Sequence, residues 1–310
     1  MQAITDLPFW RLITAYGGAD LYVTEYFRVH SVSRLNKGIL RSITENPTGR
    51  PVIGQLIGND IPALVRSAQE LQRHPVAAVD LNLGCPAPVV YRKCAGGGLL
   101  RTPDRIDAIL GALRAAITIP FTVKTRVGFD SPREFEQLLP VFARHDLDML
   151  AVHGRTVKEV LRPGVHYGLI AQAAATLPYP VLANGDIDSA AQALKVWRQT
   201  GAKGIMIGRG AVRNPWIFNQ IRQALREVPV FHPTGRDLLN YLERLYEALW
   251  QPGFNERSHL QMLKKHLNFV GQGLPDPEPF LHDMRRVSTR VDFQAAARRH
   301  LDHDRPAFTG

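Results

Sequence analysis

The chain has 310 residues, 45% of them hydrophobic and 21% charged, with a formal net charge of +10. These proportions predict a folded, soluble protein of one large domain plus a small one. Its two cysteines, Cys85 and Cys94, exclude a disulfide framework and a metal site. No apolar run approaches the ~20 residues of a membrane span, no secretory leader is expected, and a reducing cytoplasm is the expected compartment. Of the +10, +9 lies in residues 1–235, so a polyanionic partner, nucleic acid first and anionic lipid second, is expected to meet that part.

In chain order, Asp6 and Pro8 read as the cap and first turn of an opening helix. Ala19 to Tyr26 is strand-like, and Ser33 to Arg41 carries Arg34, Lys37 and Arg41 at helical spacing. A regular alternation follows. Strands are predicted at Pro51–Ile57, Ala77–Cys85, Phe121–Val127, Met149–Val152, Pro180–Asn184 and Gly204–Ile207. Between them come helices at Ile61–Arg73, after Thr102-Pro103, after Ser131-Pro132 with Glu134 completing a capping box, near Gly168–Leu177 and at Ser189–Gln199. A last helix of this series runs from Asn214-Pro215 to about Arg226.

Seven strands alternating with helices predict a parallel α/β fold. A doubly wound sheet is possible, but a (β/α)8 barrel fits the count and length better. Its first strand has no room except before residue 1, so a truncated first strand is expected. Val228 to Gly235 reads as a linker, and the remainder holds only amphipathic helical patterns. The predicted domains are a barrel over 1–230 and a small helical bundle over 236–310.

The most informative stretch is Val79-Asp80-Leu81-Asn82-Leu83-Gly84-Cys85-Pro86, followed by the glycines Gly96, Gly97 and Gly98. An apolar run ending in a Gly-Cys-Pro corner places Cys85 at the tip of a strand, where barrels and open α/β sheets carry their chemistry. The other tips hold Glu25, Gln55, Asn82, Lys124 and Arg126, His153, Asn184 and Asp186, and Gly208-Arg209. Singly, each could be a solvated or capping side chain. Together they ring one mouth with amides, charges, an imidazole and a thiol. Asn184-Gly185-Asp186 and Gly208-Arg209-Gly210 close the last two strands, where barrels commonly take a phosphate. No Rossmann or Walker pattern is present. Lys124 alternates inward with Arg126 in Phe-Thr-Val-Lys-Thr-Arg, and an inward lysine needs an anion, such as the N1–O2 edge of a reduced flavin.

Those stretches, with Val152-His153-Gly154-Arg155-Thr156, Ala183-Asn184-Gly185-Asp186-Ile187 and Met206-Ile207-Gly208-Arg209-Gly210 preceding Asn214-Pro215-Trp216, resemble the tRNA-dihydrouridine synthases over essentially the whole chain. The resemblance implies an FMN-bound barrel that reduces the C5–C6 bond of a tRNA D-loop uridine with NADPH. Hydride would reach C6 from the flavin, and Cys85 would protonate C5 from the other face. A thiol, ordinarily protonated at neutral pH, suits that step. The target base must be exposed and inserted into the pocket. By the same resemblance Asn82 contacts uracil or ribose. Gln55, Lys124 and His153 hold the flavin and its ribityl chain, and Asn184, Asp186, Gly208 and Arg209 hold its phosphate end. Met1, on the truncated strand, lies against the flavin, and Arg28 and Arg126 face RNA or base. Departures are the missing Ala-Pro before Met1, Ala3 in place of a common Gly, and the loop Ala87–Cys94. Thr24-Glu25-Tyr26-Phe27-Arg28-Val29 resembles the branch acting at D-loop position 16. A monomer is expected. The alternatives are another FMN-dependent pyrimidine oxidoreductase, or a tRNA-binding relative that lacks catalysis because its first strand is missing.

Overall fold

A computed structural model describes residues 4–251 and 253–308. Eight parallel strands form one curled sheet: β1 (Tyr22–Val23), β2 (Phe27–Arg28), β3 (Val52–Ile57), β4 (Ala78–Leu83), β5 (Phe121–Arg126), β6 (Met149–His153), β7 (Val181–Asn184) and β8 (Gly204–Met206). Both β1 and β2 pair with β3, so they fill one position of the sheet. From β3 onward each strand pairs with the next in sequence, the order of a right-handed α/β barrel. Among the described residues, no ladder joins β8 back to β1 or β2.

The split between β1 and β2 replaces the single strand expected over Ala19–Tyr26. Its cause is local: the Thr24 hydroxyl, not a backbone carbonyl, accepts the Gln55 N–H at 3.0 Å. A side chain has taken one rung of the ladder, and the strand bends there.

Helices cover the outer face of the sheet. They are α1 (Leu7–Thr14), α2 (Lys37–Thr44), α3 (Ile61–Leu71), α4 (Pro88–Tyr91), α5 (Pro103–Ala116), α6 (Phe135–Ala143), α7 (Tyr167–Thr176), α8 (Ala190–Thr200), α9 (Arg209–Arg213) and α10 (Ile217–Leu225). Asn36 caps α2 by accepting the Ile39 N–H, which leaves Arg34 outside the helix it was expected to share with Lys37 and Arg41. The helix expected from Asn214 begins three residues later. Asn214 Oδ1 accepts the Trp216 N–H in a turn, and α9 precedes it. The expected capping box at Ser131 and Glu134 is present on a short 3-10 turn that leads into α6.

All six residues of β3 and all six of β4 are buried, as a sheet covered on both faces requires. The register sets Gln55 beside Asp80 and Asp80 beside Thr122, a row crossing three strands, and sets Asn82 beside Lys124 in the next row toward the strand tips. The site is built on these two rows.

Beyond residues 228–233 lie α11 (Gly235–Ala248), α12 (Glu256–Gly271), α13 (Pro277–Arg286) and α14 (Arg290–Leu301). They enclose a second apolar core that also takes in Leu12 of α1 and Trp216 before α10. His266 of α12 reaches further back and donates from Nε2 to the Ile4 carbonyl at 3.1 Å. No described helix is long and apolar enough to cross a membrane.

Candidate active site

The C-terminal end of β4 turns sharply at Gly84-Cys85, and a side chain fixes the turn. Asn82 Oδ1 accepts the N–H of Gly84 at 3.0 Å and of Cys85 at 2.9 Å, an Asx turn in which the amide replaces a backbone acceptor. The glycine-rich stretch folds as a 3-10 helix over Gly96–Arg101, and the Gly97 N–H donates to the Cys85 carbonyl at 3.1 Å. A Cβ on Gly97 would stand 2.9 Å from that carbonyl, and one on Gly98 only 2.4 Å from the Tyr91 carbonyl. The glycines are there for close approach. The Cys85 backbone is thus held on both sides, with its thiol half-buried. The Tyr26 phenol stands beside that thiol and beside Arg28. Burial first, and the thiol second, raise its pKa.

The row beneath is a closed polar network. Asp80 accepts from Thr122 Oγ1 at 2.6 Å and from Gln55 Nε2 at 2.8 Å. Gln55 Oε1 in turn accepts from Asn82 Nδ2 at 2.8 Å. Gln55, expected to hold the flavin, is anchored between Asp80 and Asn82 with its second N–H left over. Asn82 keeps one N–H free for a ligand, since its oxygen is committed to the turn. Burial raises the Asp80 pKa to about 6, against the lowering effect of Thr122, Gln55 and the nearby Lys124 charge.

Lys124 makes no hydrogen bond or ion pair among the described residues. Desolvation and then the Arg126 charge lower its pKa to about 7, with Asp80 opposing. An anion beside it would restore its charge. His153, at the tip of β6, is buried and neutral. Burial and then the charges of Lys124 and Arg126 push its pKa down to about 2. Asn184 Nδ2 donates to the Met206 carbonyl, which turns Asn184 Oδ1 toward His153 Nδ1 at 2.9 Å. That fixes the proton on Nδ1. His153 Nε2 is left as a buried acceptor without a partner.

The expected phosphate end contains an arginine that was not among the candidate site residues. Arg155 is 1% exposed and lies bidentate on Asp186, with Nη1 at 2.8 Å from Oδ1 and Nη2 on Oδ2, while Nε donates to the Arg162 carbonyl at 2.7 Å. Arg209 Nη2 reaches Asp186 Oδ1 at 3.2 Å, and Gly208 caps the short helix it begins. The Arg155 hydrogen bond is the leading cause that lowers the Asp186 pKa. Asp186 and Asn184 were expected on the phosphate itself. In the structure Asp186 accepts from Arg155 and Arg209, while Asn184 lies between His153 and the Met206 carbonyl.

Arg126 is only 5% exposed, with Nε on the Gly84 carbonyl at 2.9 Å and Nη1 on the Thr156 carbonyl at 2.9 Å. Expected to face RNA or base, it is buried and ties the cysteine turn to the loop after β6. Arg28, by contrast, is exposed at the mouth, its guanidinium 5.8 Å from the Tyr26 ring centre. Met1 lies outside the described residues.

The Asp80 shift carries a stability prediction. Its folded pKa exceeds the ordinary 3.8, so the folded state holds the proton more tightly. Its contribution therefore falls as pH rises from about 4 to about 6 and stays unfavourable above that. Asp80→Asn removes the charge. Urea denaturation is expected to find the variant more stable than the parent at pH 8, by up to about 3 kcal/mol, with the gap closing near pH 4.

The family model described as dihydrouridine synthase matches residues 1–304. A relative from Xanthomonas axonopodis pv. citri named tRNA-dihydrouridine synthase B is 32% identical over 308 residues, covering 97% of this chain and 91% of that one. A protein of the same name from Pseudomonas aeruginosa is 33% identical over 313 residues, covering 98% and 92%. One from Rhodobacter capsulatus, named probable tRNA-dihydrouridine synthase, is 31% identical over 285 residues, covering 89% and 86%.

Proposed function

Because the chain belongs to the dihydrouridine synthase family, we propose that it reduces the C5–C6 bond of a D-loop uridine in tRNA, with Cys85 as the acid. The observation that carries the reading is the mouth itself: the Cys85 thiol, the unpartnered Lys124 cation and the orphaned His153 Nε2 share it. A flat heterocycle with an anionic edge and a phosphate tail fits this donor set. Lys124 would meet the edge, His153 Nε2 would accept from a ring N–H or ribityl hydroxyl, and Arg209 would face the phosphate, with buried Arg155 holding Asp186 beside it. When bound, FMN reduced by NADPH supplies the hydride that adds at uracil C6.

The chain's own residues do the rest. The free Asn82 N–H would orient the uracil or ribose. Cys85 would deliver its proton to C5, and Tyr26 would steady the thiol. Bare Lys124 loses its charge near neutral pH, and an anion beside it raises its pKa again. We assign residues 1–230 as the catalytic domain and 236–310 as the tRNA-binding domain, with the protein acting in the cytoplasm, where tRNA is found. The +9 of the first 235 residues, Arg28 included, favours RNA contact by the barrel mouth as well.

The test is tRNA lacking dihydrouridine, incubated with the protein, FMN and NADPH, followed by mapping of the modified positions. The expected result is reduction at one D-loop uridine. Position 16 would agree with the Thr24–Val29 resemblance, although several relatives at about 32% identity carry the B designation. Reduction of free pyrimidines with tRNA untouched, or salt-sensitive tRNA binding without flavin, would overturn the proposal.

A further inference from the structure

Three strands carry a chain of hydrogen bonds with only one workable direction. It starts at Asp80, whose ionised carboxylate can only accept. Thr122 Oγ1 therefore donates to Oδ1, and Gln55 must present its NH2 group to Oδ2. That turns Gln55 Oε1 toward Asn82, which must present its own NH2 group. Asn82 Oδ1 is then aimed at the N–H groups of Gly84 and Cys85. Reversing either amide would set donor against donor or acceptor against acceptor in a buried network, which costs far more than the bonds contribute when made. A second bond fixes Gln55 from behind, since its own N–H is held by Thr24 Oγ1 at 3.0 Å. All four side chains in this chain of bonds are buried, so water cannot substitute for a missing partner.

We infer that Asp80 is a positioning residue for Cys85: from inside the barrel, through Gln55 and Asn82, it sets the direction of two amides and so holds the turn that places the thiol. Asp80 itself touches neither substrate nor cysteine. The inference deepens the proposed function, because it concerns the placement of the proposed acid. Its first readout does not depend on that function.

That readout is the pH-dependent rate at which iodoacetamide alkylates Cys85 in the full chain, in a Cys94→Ser background that leaves one thiol. Asp80→Leu keeps the branched shape, at the cost of added bulk, but removes the acceptor, so Gln55 is free to turn. The alkylation rate is expected to change about threefold or more. Turnover on tRNA should fall about 10- to 100-fold, with KM for tRNA within about twofold. Asp80→Asn still accepts from Gln55, while the Thr122 hydroxyl rotates to accept instead of donate. It is expected to recover most of both losses. Gln55→Leu should match Asp80→Leu, and the double variant should be no worse than either single one, because both break the same chain of bonds. Additive effects of the two leucine variants would overturn the inference. So would an Asp80→Asn variant as impaired as Asp80→Leu, or an unchanged alkylation profile in folded Asp80→Leu or Gln55→Leu protein. If Asp80→Leu fails to fold, Gln55→Leu and Asp80→Asn still decide the matter. If the parent protein reduces no tRNA, the proposed function falls while the alkylation comparison stands.

Discussion

Cys85→Ala is expected to lower dihydrouridine formation by about 10²–10⁴-fold, the range for losing a positioned proton donor, while binding of the proposed flavin is retained. The two effects separate because the Cys85 backbone, not its side chain, builds the turn. Its N–H is held by Asn82 Oδ1 and its carbonyl by the Gly97 N–H. Alanine leaves both bonds intact and removes only the thiol. The groups proposed to hold or support the cofactor, Lys124, His153, Arg155 and Arg209, lie on β5, at the end of β6, just after β6 and at the start of α9. Single-turnover reduction of tRNA, read beside the flavin absorbance of the purified variant, checks this. Full activity in Cys85→Ala would remove the thiol from the mechanism. Loss of both flavin and activity would make Cys85 a packing residue.

Arg155→Ala is expected to cost roughly 2 kcal/mol of stability, the scale for hydrogen bonds to a charged group, since Arg155 is buried but its partner Asp186 is 42% exposed, and to weaken binding of the proposed flavin. Arg155 is 1% exposed, and Asp186 and the Arg162 carbonyl both depend on it. Without it, Asp186 is left with the single longer contact from Arg209. Asp186 also sits in the left-handed region, at φ +44°, a conformation that needs support from its surroundings. Arg155→Lys should recover little, because an ammonium cannot reproduce the paired N–H geometry on the carboxylate. Urea denaturation and flavin content after gel filtration measure the two losses. Retention of flavin at parental affinity would remove Arg155 from the phosphate end.

The ring of strand tips could be read from sequence because each tip ends an apolar run at a turn, and the barrel rule assigns such ends to one mouth. The sequence could not show which tips face a ligand and which support a neighbour. Gln55, Asn184 and Asp186 look equivalent to Lys124 and His153 along the chain. Only the structure shows which neighbours they bond: Asp80 and Asn82 for Gln55, His153 for Asn184, and Arg155 for Asp186. Arg155 follows a histidine and a glycine in a quoted motif, but nothing local marks it as one of the most deeply buried side chains. Asp80 reads as a polar interruption in an apolar strand; its importance comes from Thr122 and Gln55, 42 and 25 residues away. The break between β1 and β2 was equally hidden, since a single threonine hydroxyl makes it.

Placing Leu12 and Trp216 in the core of the C-terminal bundle has a consequence for how the chain is made. α1 leaves the ribosome well ahead of its partner: the surface Leu12 packs on, Leu238 to Leu249 among it, is synthesised more than 220 residues later. Until then that side of α1 has no native partner, while its other side can already dock against the growing barrel. Closing so long a loop is slow, and it leaves apolar surface exposed in the meantime. Seating of α11 on α1 is therefore expected to come late in folding, with Leu12 uncovered until α11 is made.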